Sequence, residues 1–181
     1  CVMMSPGRRP AAAAGVPADS LLLLVARTAS PAGTLQVIAR SLETALHKLH
    51  DLHFDMARIE RGTGRAPLAP VAAGDLAAIG RTNDAILYGG IVTLEVHGDD
   101  KSLEDVGPLA VSRASPAYGE PFARVFAKAG GDFYAIDPAL FAPAVVEFVN
   151  LDTGRRHRFG GVAPDIVAAS FAPAGAATVG R

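Results

Sequence analysis

The sequence predicts a mixed α/β or α+β protein of layered sheets with flanking helices, and three observations carry that prediction. Leu21 to Ala26 is an uninterrupted apolar run, followed by Leu35, Ile38, Ala39, Leu42, Leu46 and Leu49 at helical spacing. Ile91 to His97 alternates, with Val92, Leu94 and Val96 on one side. Val145 to Asn150 and Arg155 to Phe159 flank a Leu151-Asp152-Thr153-Gly154 turn, the pattern of a β-hairpin. Helical and strand periods therefore share one chain, with no internal repeat and no heptad array.

Taken in order, residues Cys1 to Ala14 carry Arg8, Arg9 and an alanine run but lack the apolar stretch of a targeting peptide. Leu21 to Ala26 is far shorter than the ~20 residues that span a bilayer. It reads as a strand covered on both faces. A small-residue loop, Arg27 to Thr34, leads into a helix over about Thr34–Asp51 with one apolar face. Glycines 62 and 64 and prolines 67 and 70 break the pattern beyond Phe54, leaving a short strand near Ala57–Glu60 and a subdomain boundary. Asp75 to Leu87 is helical despite Gly80, and Gly89-Gly90 stops it. Tyr118 to Lys128 places Phe122, Val125 and Phe126 on one helical face, closed by Gly130-Gly131. Beyond the hairpin, a short helix over Pro164–Phe171 precedes an Ala/Gly tail.

Of the 181 residues, 50% are hydrophobic, enough for one well-buried domain or for one domain and part of another. Seventeen Lys plus Arg against 18 Asp plus Glu give a net charge of −1, which argues against a phosphate-coating nucleic-acid binder. Cys1 is the only cysteine, so neither an internal disulfide nor a cysteine-based zinc site can form, and a reducing cytoplasm is the simplest setting.

Chemistry concentrates on the helix after the loop. At 100° per residue from Leu35, Gln36, Arg40, Glu43, His47 and His50 fall between about 60° and 140°, a polar stripe beside the apolar face. A guanidinium one turn from a carboxylate holds it charged, while burial in a cleft pushes its pKa back up. Such a glutamate can act as a general base for water. The plainer alternative is an exposed i,i+3 pair worth a few tenths of a kcal/mol. His47, His50 and His53 have a metal-like spacing, but on one helix they sweep about 120°, too wide to converge on one ion.

Ser30, Gly33 and Thr34 sit where a loop enters a helix amino terminus, a common place for polar or anionic ligands. Asn83, Asp84 and Tyr88, ahead of the paired glycines, can hydrogen-bond a planar heterocycle or equally satisfy a buried turn. Phe133 and Tyr134 read as core or subunit-contact aromatics, and Asp137-Pro138 as the start of a turn or helix. No GxSxG, Walker loop, HExxH or Cys/His nucleophile pair is present.

Four stretches, TASPAGTLQVIARSLETALHKL, APLAPVAAGDLAAIGRTNDAILYGGIVTLEVHGDD, SPAYGEPFARVFAKAGGDFYAIDPALFAPAVVEFVNLDTG and RFGGVAPDIVAASF, resemble the methenyltetrahydromethanopterin cyclohydrolases of methanogenic archaea and methylotrophic bacteria. The resemblance covers about Leu21 to Phe171. It implies reversible hydrolysis of 5,10-methenyltetrahydromethanopterin to the 5-formyl derivative, with no cofactor and no metal. Arg40 and Glu43 would be the catalytic pair. Ser30, Gly33, Thr34, His47, Asn83, Asp84 and Tyr88 would be the pterin-binding set. It further implies a two-domain α/β architecture with the substrate between the domains, a cytoplasmic homotrimer, and no nucleic-acid or membrane partner. On this comparison residues 1–20 are a truncated or divergent amino-terminal remnant. Residues 21–56 carry the catalytic helix, 57–171 form a carboxy-terminal α/β portion, and 172–181 are a tail. An alternative from a different class is a non-catalytic piece that binds pterin or assembles without turnover.

Overall fold

The computed structural model describes residues 8–172. Four strands, β1 (Ile59–Arg65), β2 (Ile91–Val96), β3 (Val145–Asn150) and β4 (Arg156–Gly160), form one sheet in the order β1-β2-β3-β4. The outer pairs are antiparallel and β2 runs parallel to β3. The described helices are α1 (Arg8–Ala14), α2 (Pro31–Ile38), α3 (Ser41–Asp51), α4 (Asp75–Leu87), α5 (Asp100–Val106), α6 (Phe122–Lys128) and α7 (Pro164–Phe171).

The sheet is two-faced, and side-chain alternation is the cause. Val92, Leu94, Val96, Val146 and Phe148 are fully buried and pack with Ala45 and Leu49 of α3 and Leu103 of α5. On the opposite face Thr93 donates to Glu147 at 3.0 Å, Arg158 pairs with the same carboxylate, and Arg61 lies 3.7 Å from Glu95. A second apolar cluster joins Leu87 and Tyr88 to Phe122, Phe126, Ile136 and Leu140, so α4 is held between the sheet end and α6. Gly80 permits that contact: a Cβ there would lie 2.9 Å from the Ala123 methyl carbon.

Helix α4, the β3–β4 hairpin and α7 run where the sequence places them, and the alternation of Ile91–His97 is β2. Helix α6 starts only at Phe122, after Pro121. Four expectations need correction. Leu21–Ala26 forms no strand: no described residue hydrogen-bonds its backbone, and Leu22, Leu24 and Val25 are 81%, 89% and 92% exposed. A strand is a property of a pair, and this run pairs with none of the described strands. The single helix over Thr34–Asp51 is two, because Arg40, at φ −81° and ψ 11°, breaks it. Leu35 consequently leaves the buried face and is exposed. The strand near Ala57–Glu60 starts at Ile59 instead and runs through Gly62 and Gly64. Tyr134, read as a core or subunit-contact aromatic, is 100% exposed in the single chain, which removes it from the core. The predicted tail beyond Ala172 and the first seven residues of the predicted remnant lie outside the described residues.

Candidate active site

The site begins with the seating of α3 on β1. Gly62 and Gly64 leave room for it: a Cβ at Gly62 would lie 2.8 Å from Leu42 Cδ1, and one at Gly64 2.6 Å from Ser41 Oγ. Ser41 is buried there, and Ala45 and Leu49 continue into the core. The carbonyl of Arg40 accepts from the Thr44 amide at 2.9 Å and from the Thr44 hydroxyl at 3.0 Å, which fixes the first turn. The break at Arg40 and the first turn of α3 thus place Arg40 and Glu43 side by side.

Their contact is bidentate: Nε of Arg40 donates to Oε2 of Glu43 at 2.7 Å and NH2 to Oε1 at 2.6 Å. The hydrogen bond from Arg40 holds the Glu43 carboxyl below the usual glutamate range, and burial opposes it only weakly. Reciprocally, Glu43 raises the Arg40 pKa. Position in the first helical turn favours the carboxylate further. The expected upward push from burial is present but outweighed, the side chains being 57% and 58% exposed. Glu43 is therefore ionised at neutral pH, with its two oxygens directed by one guanidinium.

Beside the pair lies a cleft of ≈ 270 Å³. Arg40, Glu43, Thr44 and His47 form one wall, while Asn83, Ile86 and Leu87 of α4 form the other, with Phe141 closing the apolar end. Lys48, itself buried, donates to the Pro138 carbonyl at 3.4 Å and ties α3 to the turn that presents Phe141. His47 lies 3.4 Å from Asp51, on the same helix. The structure thus brings together Arg40, Glu43, His47 and Asn83, which are four of the residues singled out from the sequence.

It does not bring the others. Ser30 caps α2, accepting from the Gly33 amide at 3.0 Å and donating to the Arg27 carbonyl at 2.6 Å. Gly33 lets α2 approach that loop, since a Cβ would fall 2.0 Å from the Arg27 oxygen, and Thr34 is buried. None of the three lines the cleft. Asp84 and Tyr88 are wholly buried behind it. Asp84 Oδ1 accepts from the Phe122 amide at 2.8 Å, and burial pushes its pKa up to about 6. Oδ2 has no partner at hydrogen-bonding geometry, and the Ser170 hydroxyl nearby eases the burial without offsetting it. The Tyr88 hydroxyl donates to the Glu120 carbonyl at 2.6 Å and accepts from the Gly119 amide at 3.2 Å. These two bond to the segment that enters α6 and face away from the cleft.

His53 lies beyond the end of α3, at φ 58°, and does not continue the helical spacing of His47 and His50. Among the described residues no three His, Cys, Asp or Glu side chains are grouped to hold a metal ion, and no helix is long and apolar enough to cross a membrane. Val37, Thr44, Ile86, Leu87 and Phe141 line the cleft without having been singled out. Thr44 and Leu87 lie one residue beyond Glu43 and one short of Tyr88, so a wheel drawn for two facing helices would have found them. Phe141 comes from a distant turn and carries no local signal.

An α/β fold with an ionised helix-borne carboxylate on one wall of a cleft, and apolar groups with one carboxamide on the other, presents a candidate small-molecule site. Comparison with known proteins shows the family of the chain. Residues 8–171 match the family model described as Cyclohydrolase (MCH), and the chain belongs to that family. It is similar to the methenyltetrahydromethanopterin cyclohydrolase of Methylobacterium nodulans, 48% identical over 162 residues that are 90% of this chain and 50% of that protein. The cyclohydrolase of Rhodopirellula baltica is 47% identical, covering 87% of this chain and 48% of its own length. That of Methanospirillum hungatei is 40% identical over 87% of the chain and 49% of its own length. The chain therefore spans about half the length of these curated relatives.

Proposed function

We propose that the cleft hydrolyses the methenyl bridge of 5,10-methenyltetrahydromethanopterin to the 5-formyl compound, reversibly, with Glu43 as general base and Arg40 as the residue that orients it. The observation that carries the reading is the bidentate Arg40–Glu43 contact on the wall of a cleft, in a chain of the cyclohydrolase family.

The methenyl carbon sits between two nitrogens that share a positive charge, so it is already electrophilic. Glu43 takes one proton from water as the oxygen bonds to that carbon, giving a neutral tetrahedral adduct. The adduct then opens: the second C–N bond breaks, its electron pair returns to the nitrogen, and that nitrogen takes a proton as the adduct hydroxyl loses one. The product is a formamide, with one proton released overall. A single carboxylate that gives up and regains protons serves both stages. Arg40 keeps both oxygens of Glu43 directed and the carboxylate ionised. Phe141 and Ile86 supply apolar surface for a flat ring.

A second reading, pterin binding or assembly without turnover, is favoured by the exposure of the Arg40 and Glu43 side chains, at 57% and 58%. A base that must act on water gains from a drier setting than this. Loss of methenyl absorbance in the presence of the 181-residue chain, with Glu43→Gln beside it, separates the two. Turnover in the parent and none in the variant supports catalysis. Equal, background-level rates from two folded proteins leave binding alone.

A further inference from the structure

We propose that His47 carries protons for Glu43. In hydrolysis its ring takes the proton that Glu43 has removed from water and hands it to solvent, and in the reverse direction the imidazolium returns one. This rests on the reading of the cleft as a cyclohydrolase site, and it gives His47 a part in the chemistry instead of a contact with the pterin.

Glu43, His47 and Asp51 stand at four-residue steps on α3, so they form one row along the helix. His47 lines the cleft beside Glu43. Arg40 is the larger cause of the low Glu43 pKa, and the charge of His47 adds to it, so the two side chains are close enough to interact. On the far side, Nδ1 of His47 lies 3.4 Å from Oδ2 of Asp51, with His50 at 3.9 Å from the same carboxylate. The charged ring therefore meets a carboxylate in each direction along the row. It is also 76% exposed, open to exchange with water. The opposite wall offers no competitor: Asn83, Ile86, Leu87 and Phe141 do not titrate. Of the residues that line the cleft, Arg40, Glu43 and His47 are the ionisable ones, and an arginine does not release its proton.

The chemistry needs a second group. A carboxyl held below the glutamate range is ready as a base, but its acid form is scarce. At the ordinary glutamate pKa about one carboxyl in 500 is protonated at pH 7. Cyclisation of the formyl compound needs that acid: the adduct hydroxyl leaves as water, so its oxygen gains a proton as the C–O bond breaks and the nitrogen pair forms the C–N double bond. Histidine is the side chain that changes charge near neutrality. The imidazolium N–H bond breaks, the ring keeps the electron pair, the proton moves to a Glu43 oxygen, and Glu43 delivers it to the departing hydroxyl. Hydrolysis retraces these steps, with the neutral ring accepting from Glu43 the one proton that the reaction releases.

His47→Gln keeps a polar side chain on the helix and removes the titrating ring. Hydrolysis and cyclisation by the 181-residue chain and by this variant are followed through the methenyl absorbance, in a buffer without imidazole and then with imidazole added. Binding of 5-formyltetrahydromethanopterin is measured calorimetrically and thermal unfolding is recorded beside it. In His47→Gln, kcat/KM should fall about a hundredfold, the lower end of what a proton-transferring side chain contributes. Because the equilibrium is unchanged, the loss should be equal in the two directions. Added imidazole should restore the variant and leave the parent as it was, with pterin affinity unaltered. Parent-like rates in His47→Gln overturn the proposal. So does a loss of rate that imidazole does not repair, whether it follows weaker pterin binding or a less stable fold, since His47 would then be a binding or packing residue. A folded parent with no turnover overturns the reading of the cleft itself, and this inference with it.

Discussion

Ser41 occupies the space that a side chain at Gly64 would need: the missing Cβ would fall 2.6 Å from Ser41 Oγ and 3.0 Å from the Leu42 amide nitrogen. The neighbour on that side includes backbone, so it cannot swing away. Gly64→Ala must lift the amino-terminal turn of α3 from β1, and overpacking of this kind costs about 1–3 kcal/mol. Because that turn carries Glu43, the lift also moves the carboxylate. Urea unfolding should show the loss of stability, and pterin turnover or binding should fall with it. Full stability in Gly64→Ala would mean that α3 is not held against the strand as described.

Exchange of Arg40 should change a pH profile as well as a rate. The Arg40 hydrogen bond keeps the Glu43 pKa below its ordinary value, so the base form persists into mild acid. In Arg40→Ala the acid limb of kcat/KM should move up toward the ordinary glutamate value of about 4.3, with a large part of the rate lost and binding retained. Glu43→Gln should remove nearly all turnover without unfolding the chain. An acid limb that stays put in Arg40→Ala would show that Glu43 is not the group titrating in it.

These relationships differ in how far the sequence announces them. The helix Asp75–Leu87 and the hairpin around Asp152-Thr153-Gly154 are written locally, through a paired-glycine stop and a turn whose Gly154 takes φ 72°. Arg40, Glu43 and His47 are legible because 3.6-residue periodicity survives within α3 even though the longer helix is broken at Arg40. The extension of β1 beyond Glu60 was hidden because Gly62 and Gly64 look like loop residues until α3 is laid upon them. Asp84 and Tyr88 lie behind the cleft because a step of one residue, about 100° around the helix, changes the face a side chain takes, and the sequence does not name the neighbours. Phe141 needed the tertiary fold, because only the turn held by Lys48 brings it to the cleft.

Leu24 and Val25 present the opposite case, an apolar signal without a packed outcome. Both are almost wholly exposed. Replacing them with lysine should leave the stability of the 181-residue chain within about 0.5 kcal/mol of the parent. The same variant should bind less of a hydrophobic dye and aggregate less, because an exposed apolar patch is removed. Denaturant midpoints and dye fluorescence measure the two effects. A marked loss of stability in Leu24→Lys/Val25→Lys would show that this run is packed in solution.

Asp84 sets a pH dependence of its own. It is fully buried, its Oδ1 engages the first amide of α6, and its pKa rises from the ordinary value near 3.8 to about 6. Between these values the folded chain keeps a proton that the unfolded chain has released, so stability falls as pH rises through this window. A shift of this size corresponds to a loss on the order of 2–3 kcal/mol by neutral pH. Asp100, which His157, Asn150 and Thr153 hold down to about 2, acts with the opposite sign and at lower pH, losing its contribution as acid is added. The two effects therefore occupy separate windows. Asp84→Asn keeps an acceptor for the Phe122 amide and adds a donor in place of the unpaired oxygen, without a charge to bury. Urea midpoints at pH 4.5, 5.5 and 7 should decline in the parent and stay level in Asp84→Asn, leaving the variant the more stable protein at pH 7. If the variant is instead weaker at pH 7 and declines in parallel with the parent, the Asp84 charge is compensated in the folded state and the titration belongs to another group.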